Sequence, residues 1–395
     1  VHADLQVTFR LLAPNAKEVL VKGLIGVDPR PLKKGERGIW EVTVGPLVPE
    51  LHSYVFEVDG AQLLDPSNRQ VKKWLTCEKM VEVRGTPPLL HEQQPVAHGV
   101  VHHHIYPSDS AGHERGAYVY TPPGYDPRRP IGYPLLVLLH GFGDDEAAWL
   151  EVGRANMIAD NLIAAAEIPP LVIAMPYGHP LPIECPRTFL DDYAVRNIDA
   201  LDSDLQQDLM PFLERTYHLS DSRMERAIAG LSMGGGQSLA IGLRRLDEIA
   251  WIGGFSAATP QGDRAQELAA ITDDIQNTNE SLALLWIGCG RDDFLYQRNQ
   301  TFRAWLVRQG IDTPQLGLML GLLAGLLLAV VLAWWLSRRS ARAAEARAQP
   351  EIDALRQKLE TTHSRLAEAE KDAAVLRARN EDEARHFQGQ IEKLE

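Results

Sequence analysis

Apolar and polar positions follow four successive patterns along the 395 residues of the chain. In the first pattern, residues 1–92, short runs of strand type are separated by turns that contain Pro, Gly and Asn. Regularly punctuated runs of this kind are typical of an all-β module, and they predict a small β-sandwich. Trp40 is expected in its core rather than in a sugar-binding platform. The predicted strands are Val7–Leu12, 19–24, 38–44, 53–59 and 81–84.

Residues 93–312 show the second pattern, in which continuous apolar runs alternate with helical stretches. Such runs indicate strands that are covered on both faces, as in the parallel sheet of an α/β domain. In these domains the chemistry lies on the loops at the carboxyl ends of the strands. The predicted strands are Leu135–Leu139, 171–176, 226–230, 249–256 and 282–288, and the predicted helices are 155–166, 199–217 and 298–309.

The third pattern is an uncharged stretch at residues 316–336. At about 1.5 Å per helical residue, this stretch is long enough to cross a hydrocarbon layer of about 30 Å. Tryptophans lie at its end, as in the aromatic belt of a membrane helix, and a membrane helix is therefore predicted within 313–339. Arginines follow, so the positive-inside rule predicts that its C-terminal side is cytoplasmic. The α/β domain is then extracytoplasmic if a signal segment stands upstream. A buried core helix is the alternative interpretation.

Residues 340–395 form the fourth pattern, which is rich in Ala, Glu, Arg, Leu and Lys. Apolar residues recur at spacings of three and four, and this periodicity predicts a coiled coil and self-association through it. The basic and acidic residues of this segment nearly balance, which is typical of a solvated helical face. The formal net charge of the whole chain is −13, and this argues against nucleic acid as a partner because phosphate binding requires a basic face.

The cysteine and histidine spacings argue against a metal site. Cys77, Cys185 and Cys289 lie far apart in the sequence, which excludes a disulfide framework and a cysteine-based zinc site. A run of three consecutive histidines ends at His104, but consecutive side chains on a strand point to opposite faces and chelate poorly. Neither a metal nor a cofactor is therefore expected.

The segment Gly230-Leu-Ser232-Met-Gly234 has the G-x-S-x-G pattern of a nucleophile elbow. The elbow requires glycines because a side chain at either flanking position would collide with the neighbouring strand or helix. A strand pattern at 226–230 precedes the motif, and a helical pattern follows it, as the elbow demands. We interpret Ser232 as a catalytic nucleophile, and a merely structural turn is the alternative.

Acyl transfer by a serine also needs a base, an orienting carboxylate and donors for the oxyanion. A His-Gly pair ends the strand Leu135–Leu139, and its position predicts the backbone amides of Phe142 and Met233 as oxyanion donors. His140 itself is expected to be structural, because it precedes the serine in the chain. The carboxylate should follow the serine in this fold, and both Asp292 and Asp293 stand at suitable positions after the apolar run at 282–288.

Residues 99–312 resemble the feruloyl-esterase and enterochelin-esterase branch of the α/β-hydrolases. The resemblance selects Asp293 as the acid, and it implies cleavage of aromatic or small-acid esters of sugars, or of siderophore esters, without a cofactor. Residues 1–92 resemble the immunoglobulin-like modules of glycogen-branching enzymes and some esterases. The matching phrases of the esterase part are YTPPGY at 120–125, LLHGFGDD at 138–145, VGRAN at 152–156, AGLSMGGG at 229–236 and CGRDDF at 289–294.

The esterase pattern continues into a last strand and a loop with the catalytic histidine, and this sequence departs from it at about residue 312. Only His363 and His386 follow Asp293, and both lie in the predicted coiled coil. There are two alternative sources of a base. One is His179, at the catalytic edge, and the other is the loop expected at His102, His103 and His104. Residues 313–395 resemble the membrane anchor and coiled coil at the start of RmuC-type DNA-recombination proteins.

Together these features predict a serine-dependent carboxylic ester hydrolase that acts on a small-molecule or carbohydrate-linked ester. Its α/β-hydrolase sheet is expected to lack the last strand, and its activity is expected to be impaired because the catalytic histidine is absent. The alternative is a membrane-tethered, non-catalytic binding scaffold assembled through its coiled coil.

Overall fold

The computed structural model describes residues 1–183, 191–259 and 274–311. Within these ranges, no helix combines the length and the apolar character that a membrane crossing requires. The helix predicted within 313–339 and the coiled coil predicted at 340–395 lie outside the described residues. Membrane attachment, self-association and the scaffold alternative therefore stay predictions.

Two β-sheets at the start of the chain face each other across one apolar core. The strands are β1 (Val7–Leu12), β2 (Val19–Lys22), β3 (Arg30–Pro31), β4 (Lys33–Lys34), β5 (Ile39–Val44), β6 (Glu50–Val58), β7 (Ala61–Leu63), β8 (Val71–Lys73) and β9 (Cys77–Val83). Their orders are β1-β5-β4 and β3-β2-β6-β9-β8, with β7 paired to β6. Val7, Phe9 and Leu11 are buried in the core because alternate residues of a strand face the same side.

Trp40 is 7% exposed, and its indole Nε1–H donates to the carbonyl of Ala13 over 2.9 Å. It is a core residue, as the sequence predicts. The sequence analysis did not predict the short strands β3, β4, β7 and β8, and two predicted strands begin earlier than expected, β6 at Glu50 and β9 at Cys77. Polar residues occupy these strand ends, so hydrophobicity alone does not mark them.

A seven-stranded sheet dominates the rest of the described chain, in the order β10-β11-β13-β12-β14-β15-β16. The strands are β10 (Val100–Ser108), β11 (His113–Thr121), β12 (Leu135–Leu139), β13 (Val172–Pro176), β14 (Arg226–Leu231), β15 (Trp251–Phe255) and β16 (Leu284–Gly288). The five strands from β12 to β16 run parallel, whereas β10 and β11 pair antiparallel. Strands β12, β13 and β15 are buried along their whole length, which explains their continuous apolar sequences.

The loop expected at His102, His103 and His104 is wrong, since all three residues belong to β10. Strand β10 forms one edge of the sheet, and much of it is exposed, so its sequence VVHHHIYPS lacks the continuous apolar run of the central strands. Three strands separate β10 from β14, which leads into Ser232. At about 4.8 Å per strand, this places the histidines roughly 19 Å from the serine strand.

Helices connect the strands along the chain. The helical prediction at 199–217 covers only part of a longer segment that begins at Asp191 and contains the π-helical turn Leu205–Leu209. The α-helices are α1 (Ala148–Glu151), α2 (Ala155–Ala164), α3 (Asp191–Asp204), α4 (Met210–Thr216), α5 (Met233–Arg244), α6 (Ile275–Ser281) and α7 (Tyr296–Arg308).

Parallel pairing brings the carboxyl ends of the central strands to one edge of the sheet. Leu139 of β12 pairs with Gly230 of β14, and Phe255 of β15 pairs with Gly288 of β16. The loops after these four strands therefore leave the sheet side by side. Among the described residues β16 is the outermost strand on this side, and the absence of a further strand stays a prediction.

Candidate active site

Ser232 occupies a strained backbone position between β14 and α5. Its dihedral angles are φ 54° and ψ −111°, in a region that residues with a side chain rarely adopt. Three backbone hydrogen bonds hold it there: its N–H donates to Phe255, and its carbonyl accepts from Gly236 and Ala258 over 3.0 and 2.7 Å. The partly exposed serine is thus fixed at the carboxyl edge of the sheet, in the geometry that the elbow motif predicts.

The two glycines of the motif have no room for a side chain. A Cβ atom on Gly230 would lie 2.4 Å from the backbone of Gly234. A Cβ atom on Gly234 would lie 2.4 Å from the carbonyl oxygen of Leu139 and 2.5 Å from that of His140. The elbow is therefore packed directly against the end of β12.

His140 joins the ends of two strands and is not available as a base. Its Nε2 accepts the N–H of Gly178 over 2.7 Å, so the proton is on Nδ1, which donates to the carbonyl of Gly141 over 2.8 Å. Burial lowers the pKa of this imidazole, which is therefore neutral. The structural role expected for His140 is confirmed.

The His-Gly turn lies beside the nucleophile. A Cβ atom built on Gly141 would be 3.8 Å from Cβ of Ser232. The Gly141–Phe142 peptide points its carbonyl at the His140 ring, and a trans peptide directs its N–H to the opposite side. Met233 begins α5, where backbone N–H groups carry the positive end of the helix dipole. These positions are consistent with the predicted donors, whose contact with an oxyanion stays a prediction.

His179 lies next to the same turn but is fully engaged. Its Nε2 accepts the N–H of Gly143 over 3.4 Å, and its Nδ1–H donates to the hydroxyl of Tyr193 over 2.8 Å. Burial is the main cause that lowers the pKa of His179 to about 3. An imidazole this hard to protonate is a poor general base, so the structure disfavours His179 as a substitute.

Asp293 follows β16 in the loop that leads to α7. Its Oδ1 accepts the N–H of Leu295 over 2.8 Å, which fixes the carboxylate, whereas Asp292 is exposed. Strands β14, β15 and β16 are parallel neighbours, so this loop and Ser232 leave the same edge of the sheet. The assignment of Asp293 as the orienting acid stays a prediction.

A cleft of about 270 Å³ opens beside the elbow. Gly141, Leu231 and Trp149 line one side of it, and Lys72 and Trp74 of the N-terminal sandwich line the other. The cleft also contains Asp144, whose N–H donates to the carbonyl of Gly141 over 3.3 Å. The sequence analysis missed Trp74, Lys72 and Asp144.

Replacing Asp144 with asparagine is expected to stabilise the protein above pH 6. Burial raises the pKa of this carboxyl from 3.8 to about 6, so the folded state favours the protonated form. Its contribution to stability is complete below the unfolded pKa and is lost as the pH rises through about 6. Asparagine stays neutral, so urea unfolding at pH 8 should show a gain of up to about 3 kcal/mol. The gain should vanish near pH 4.

The matched control is Asp28→Asn, which changes an exposed carboxylate of the sandwich. It should alter the free energy of unfolding by less than about 0.5 kcal/mol at either pH. An equal effect of Asp144→Asn at pH 4 and pH 8 would contradict the burial argument.

Comparison with known proteins identifies relatives of the chain. An endo-1,4-beta-xylanase/feruloyl esterase from Xylanibacter ruminicola is 29% identical over 301 residues, which cover 73% of this chain and 39% of that protein. Endo-1,4-beta-xylanase Y of Acetivibrio thermocellus is 27% identical over 163 residues, which cover 38% of this chain and 14% of that protein. The chain therefore spans less than half the length of the curated relatives that it matches.

Solved structures show the same fold. A CE1 ferulic acid esterase from Anaeromyces mucronatus, in complex with ferulic acid, aligns with a TM-score of 0.52 and 25% identity, over 61% of this chain and 94% of that one. The enterobactin esterase of Shigella flexneri aligns with a TM-score of 0.57 and 18% identity, over 84% of this chain and 93% of that one. The described sheet is thus that of an α/β-hydrolase.

A family model described as "Putative esterase" matches residues 108–350, which is more than half of the chain. This range includes the His-Gly turn, the elbow around Ser232 and the loop with Asp293. The chain belongs to the esterase family that this model describes.

Proposed function

We propose that the chain is a serine-dependent carboxylic ester hydrolase of the feruloyl-esterase type, with Ser232 as its nucleophile. The observation that carries the proposal is the strained conformation of Ser232, φ 54°, held by three backbone hydrogen bonds at the edge of a cleft. Strain of this kind persists only where the surroundings enforce it, and it is concentrated at functional sites. It supports a reactive serine over a merely structural turn.

In the proposed reaction, the Oγ of Ser232 attacks the ester carbonyl while a base accepts its proton. The amides of Phe142 and Met233 stabilise the oxyanion of the tetrahedral intermediate. The intermediate expels the alcohol, which takes up the proton, and leaves an acyl-serine that water hydrolyses to the free acid. Asp293 orients the base and stabilises its positive charge.

The residues that the structure describes place no general base at this site. Among the described residues, no histidine hydrogen-bonds to Ser232, and both His140 and His179 use their ring nitrogens elsewhere. His363 and His386 follow Asp293 in the sequence but lie outside the described ranges. We therefore propose that activity is impaired.

We propose an aromatic acyl ester as the substrate, attached to a carbohydrate or another small molecule. The cleft beside Ser232 is lined by the rings of Trp74 and Trp149 and by Leu231, and such walls suit a flat aromatic acid. The names of the relatives support this class, since one includes a feruloyl esterase and a structural neighbour binds ferulic acid. A siderophore ester is the related possibility that the enterobactin esterase suggests.

Hydrolysis of 4-nitrophenyl acetate and methyl ferulate by the full chain tests the nucleophile. Ser232→Ala is expected to remove the Ser232-dependent part of the turnover of both esters, because it deletes the attacking oxygen, whereas the cleft and the proposed oxyanion donors can leave a residual reaction of water. The rate of acid release, measured by chromatography, should then fall below that of the wild-type chain. Equal rates of the wild-type chain and Ser232→Ala, both above buffer, would refute Ser232 as the nucleophile.

A further inference from the structure

The turn between β8 and β9 of the N-terminal sandwich contacts the loop that follows β12. The indole Nε1–H of Trp74 donates to the carbonyl of Phe142 over 2.7 Å. Lys73 forms ion pairs with Asp145 and Glu151 over 3.2 and 3.8 Å. Two of these three contacts tie the sandwich to the loop that carries a proposed oxyanion donor, and the third reaches the end of α1.

Leu75, the next residue of the turn, packs against Gly143 in the same loop. A Cβ atom on Gly143 would lie 2.7 Å from Cγ of Leu75 and 3.0 Å from Nε1 of Trp74. Gly143 also has a φ of 80°, which glycine adopts without strain. The close approach of the turn therefore depends on a glycine at this position.

One peptide group is held from both sides. The carbonyl of the Phe142–Gly143 peptide accepts from Trp74, and its N–H donates to Nε2 of His179. His179 is fixed in turn by Tyr193, whose hydroxyl donates to the carbonyl of Leu181 over 3.4 Å. Rotation of this peptide would break a hydrogen bond at each end.

The preceding peptide is also anchored, since its Gly141 carbonyl accepts from His140. The N–H of Phe142 belongs to this Gly141–Phe142 peptide, and the Phe142–Gly143 peptide on the other side of Phe142 is held as well, so both backbone dihedral angles of Phe142 are restricted. The sandwich supplies one of these constraints and the α/β domain supplies the others. Trp74 nevertheless remains 50% exposed, because its ring forms a wall of the cleft as well as a contact.

We propose that Trp74 is a positioning residue for the oxyanion hole, and that the sandwich completes the active site. The inference rests on the proposed role of the Phe142 amide. An oxyanion donor works only when it is aligned before the reaction, and a displacement of about 1 Å can cost on the order of 100-fold in rate. Loss of the indole donor should therefore slow the chemical step while the cleft wall remains.

The test is Trp74→Phe in the full chain, with Ser232-dependent hydrolysis of 4-nitrophenyl acetate as the assay. Phenylalanine keeps an aromatic wall and removes the N–H donor, so kcat should fall by roughly tenfold or more with KM changed less than about twofold. Hydrogen–deuterium exchange of the 140–145 segment should also accelerate by at least about tenfold.

The matched control is Trp40→Phe, which deletes an indole hydrogen bond of 2.9 Å within the same sandwich but away from the cleft. It should change neither kcat nor exchange at 140–145, whatever it does to the stability of the sandwich. A merely structural role of Trp74 would make the two variants behave alike.

Two outcomes would overturn the inference: an unchanged kcat in Trp74→Phe, or a loss that appears entirely in KM. Ser232→Ala separates this failure from that of the proposed function. If Ser232→Ala keeps the wild-type rate, the proposed function fails, and the exchange of Gly143 alone decides whether Trp74 holds this peptide.

Discussion

The full chain is expected to hydrolyse methyl ferulate roughly three to six orders of magnitude more slowly than an esterase with a complete Ser-His-Asp triad. The proposed oxyanion donors and the cleft remain, but no described histidine is placed to remove the proton from Ser232. His179 contacts this loop through the N–H of Gly143, and its pKa of about 3 leaves it too weakly basic for the task. Steady-state rates measured beside an esterase with an intact triad check this expectation.

Added imidazole should restore part of the rate, because no described side chain fills the place of the base and imidazole can accept the serine proton there. A base of this kind contributes roughly 100- to 10,000-fold when it is positioned, so a mobile one should give at least about tenfold. Methyl ferulate is the suitable ester, since its poor leaving group resists direct attack by imidazole.

Ser232→Ala measures the direct reaction of imidazole with the ester, and only the difference between the two proteins counts as rescue. Asp293→Asn is the second comparison, and it should keep most of the rescue, because an imidazole in solution is not oriented by that carboxylate. A wild-type turnover on the order of ten per second without imidazole would contradict the proposal that the site lacks a base. It would mean that a residue outside the described ranges completes the triad.

The parts of this fold that were predictable from sequence are those with one dominant local cause. Strands β12, β13 and β15 are buried on both faces, and nearly every residue in them must therefore be apolar. The sequence shows this as continuous apolar runs. The elbow was predictable for a steric reason, since its geometry demands glycines at Gly230 and Gly234. Each of these signals lies within a few residues of the feature that it marks.

The parts that escaped prediction depend on contacts between distant segments. Trp74 lies 68 residues before Phe142, and no local sequence pattern around either residue predicts their hydrogen bond. Asp144 looks like an ordinary polar loop residue until the cleft around it raises its pKa. The sequence around His102 predicts a loop rather than the edge strand β10, because the exposed positions of an edge strand do not require apolar residues.

Replacing Gly234 with alanine is expected to destabilise the protein by more than about 3 kcal/mol. The new Cβ atom would lie 2.4 Å from the carbonyl oxygen of Leu139 and 2.5 Å from that of His140. Neither oxygen can retreat, because Leu139 ends a central strand paired on both sides and His140 is locked by its ring hydrogen bonds. Urea unfolding followed by circular dichroism measures the loss, and a variant that fails to fold agrees with it.

Gly290→Ala is the matched control, since its Cβ atom would have ordinary contact only, with Cβ of Asp293 at 3.9 Å. It should change the free energy of unfolding by less than about 0.5 kcal/mol. A folded Gly234→Ala protein of wild-type stability would mean that the elbow is not packed against β12. Ser232 would then be free to relax from its φ of 54°, and the argument that its strain is enforced for catalysis would fail with it.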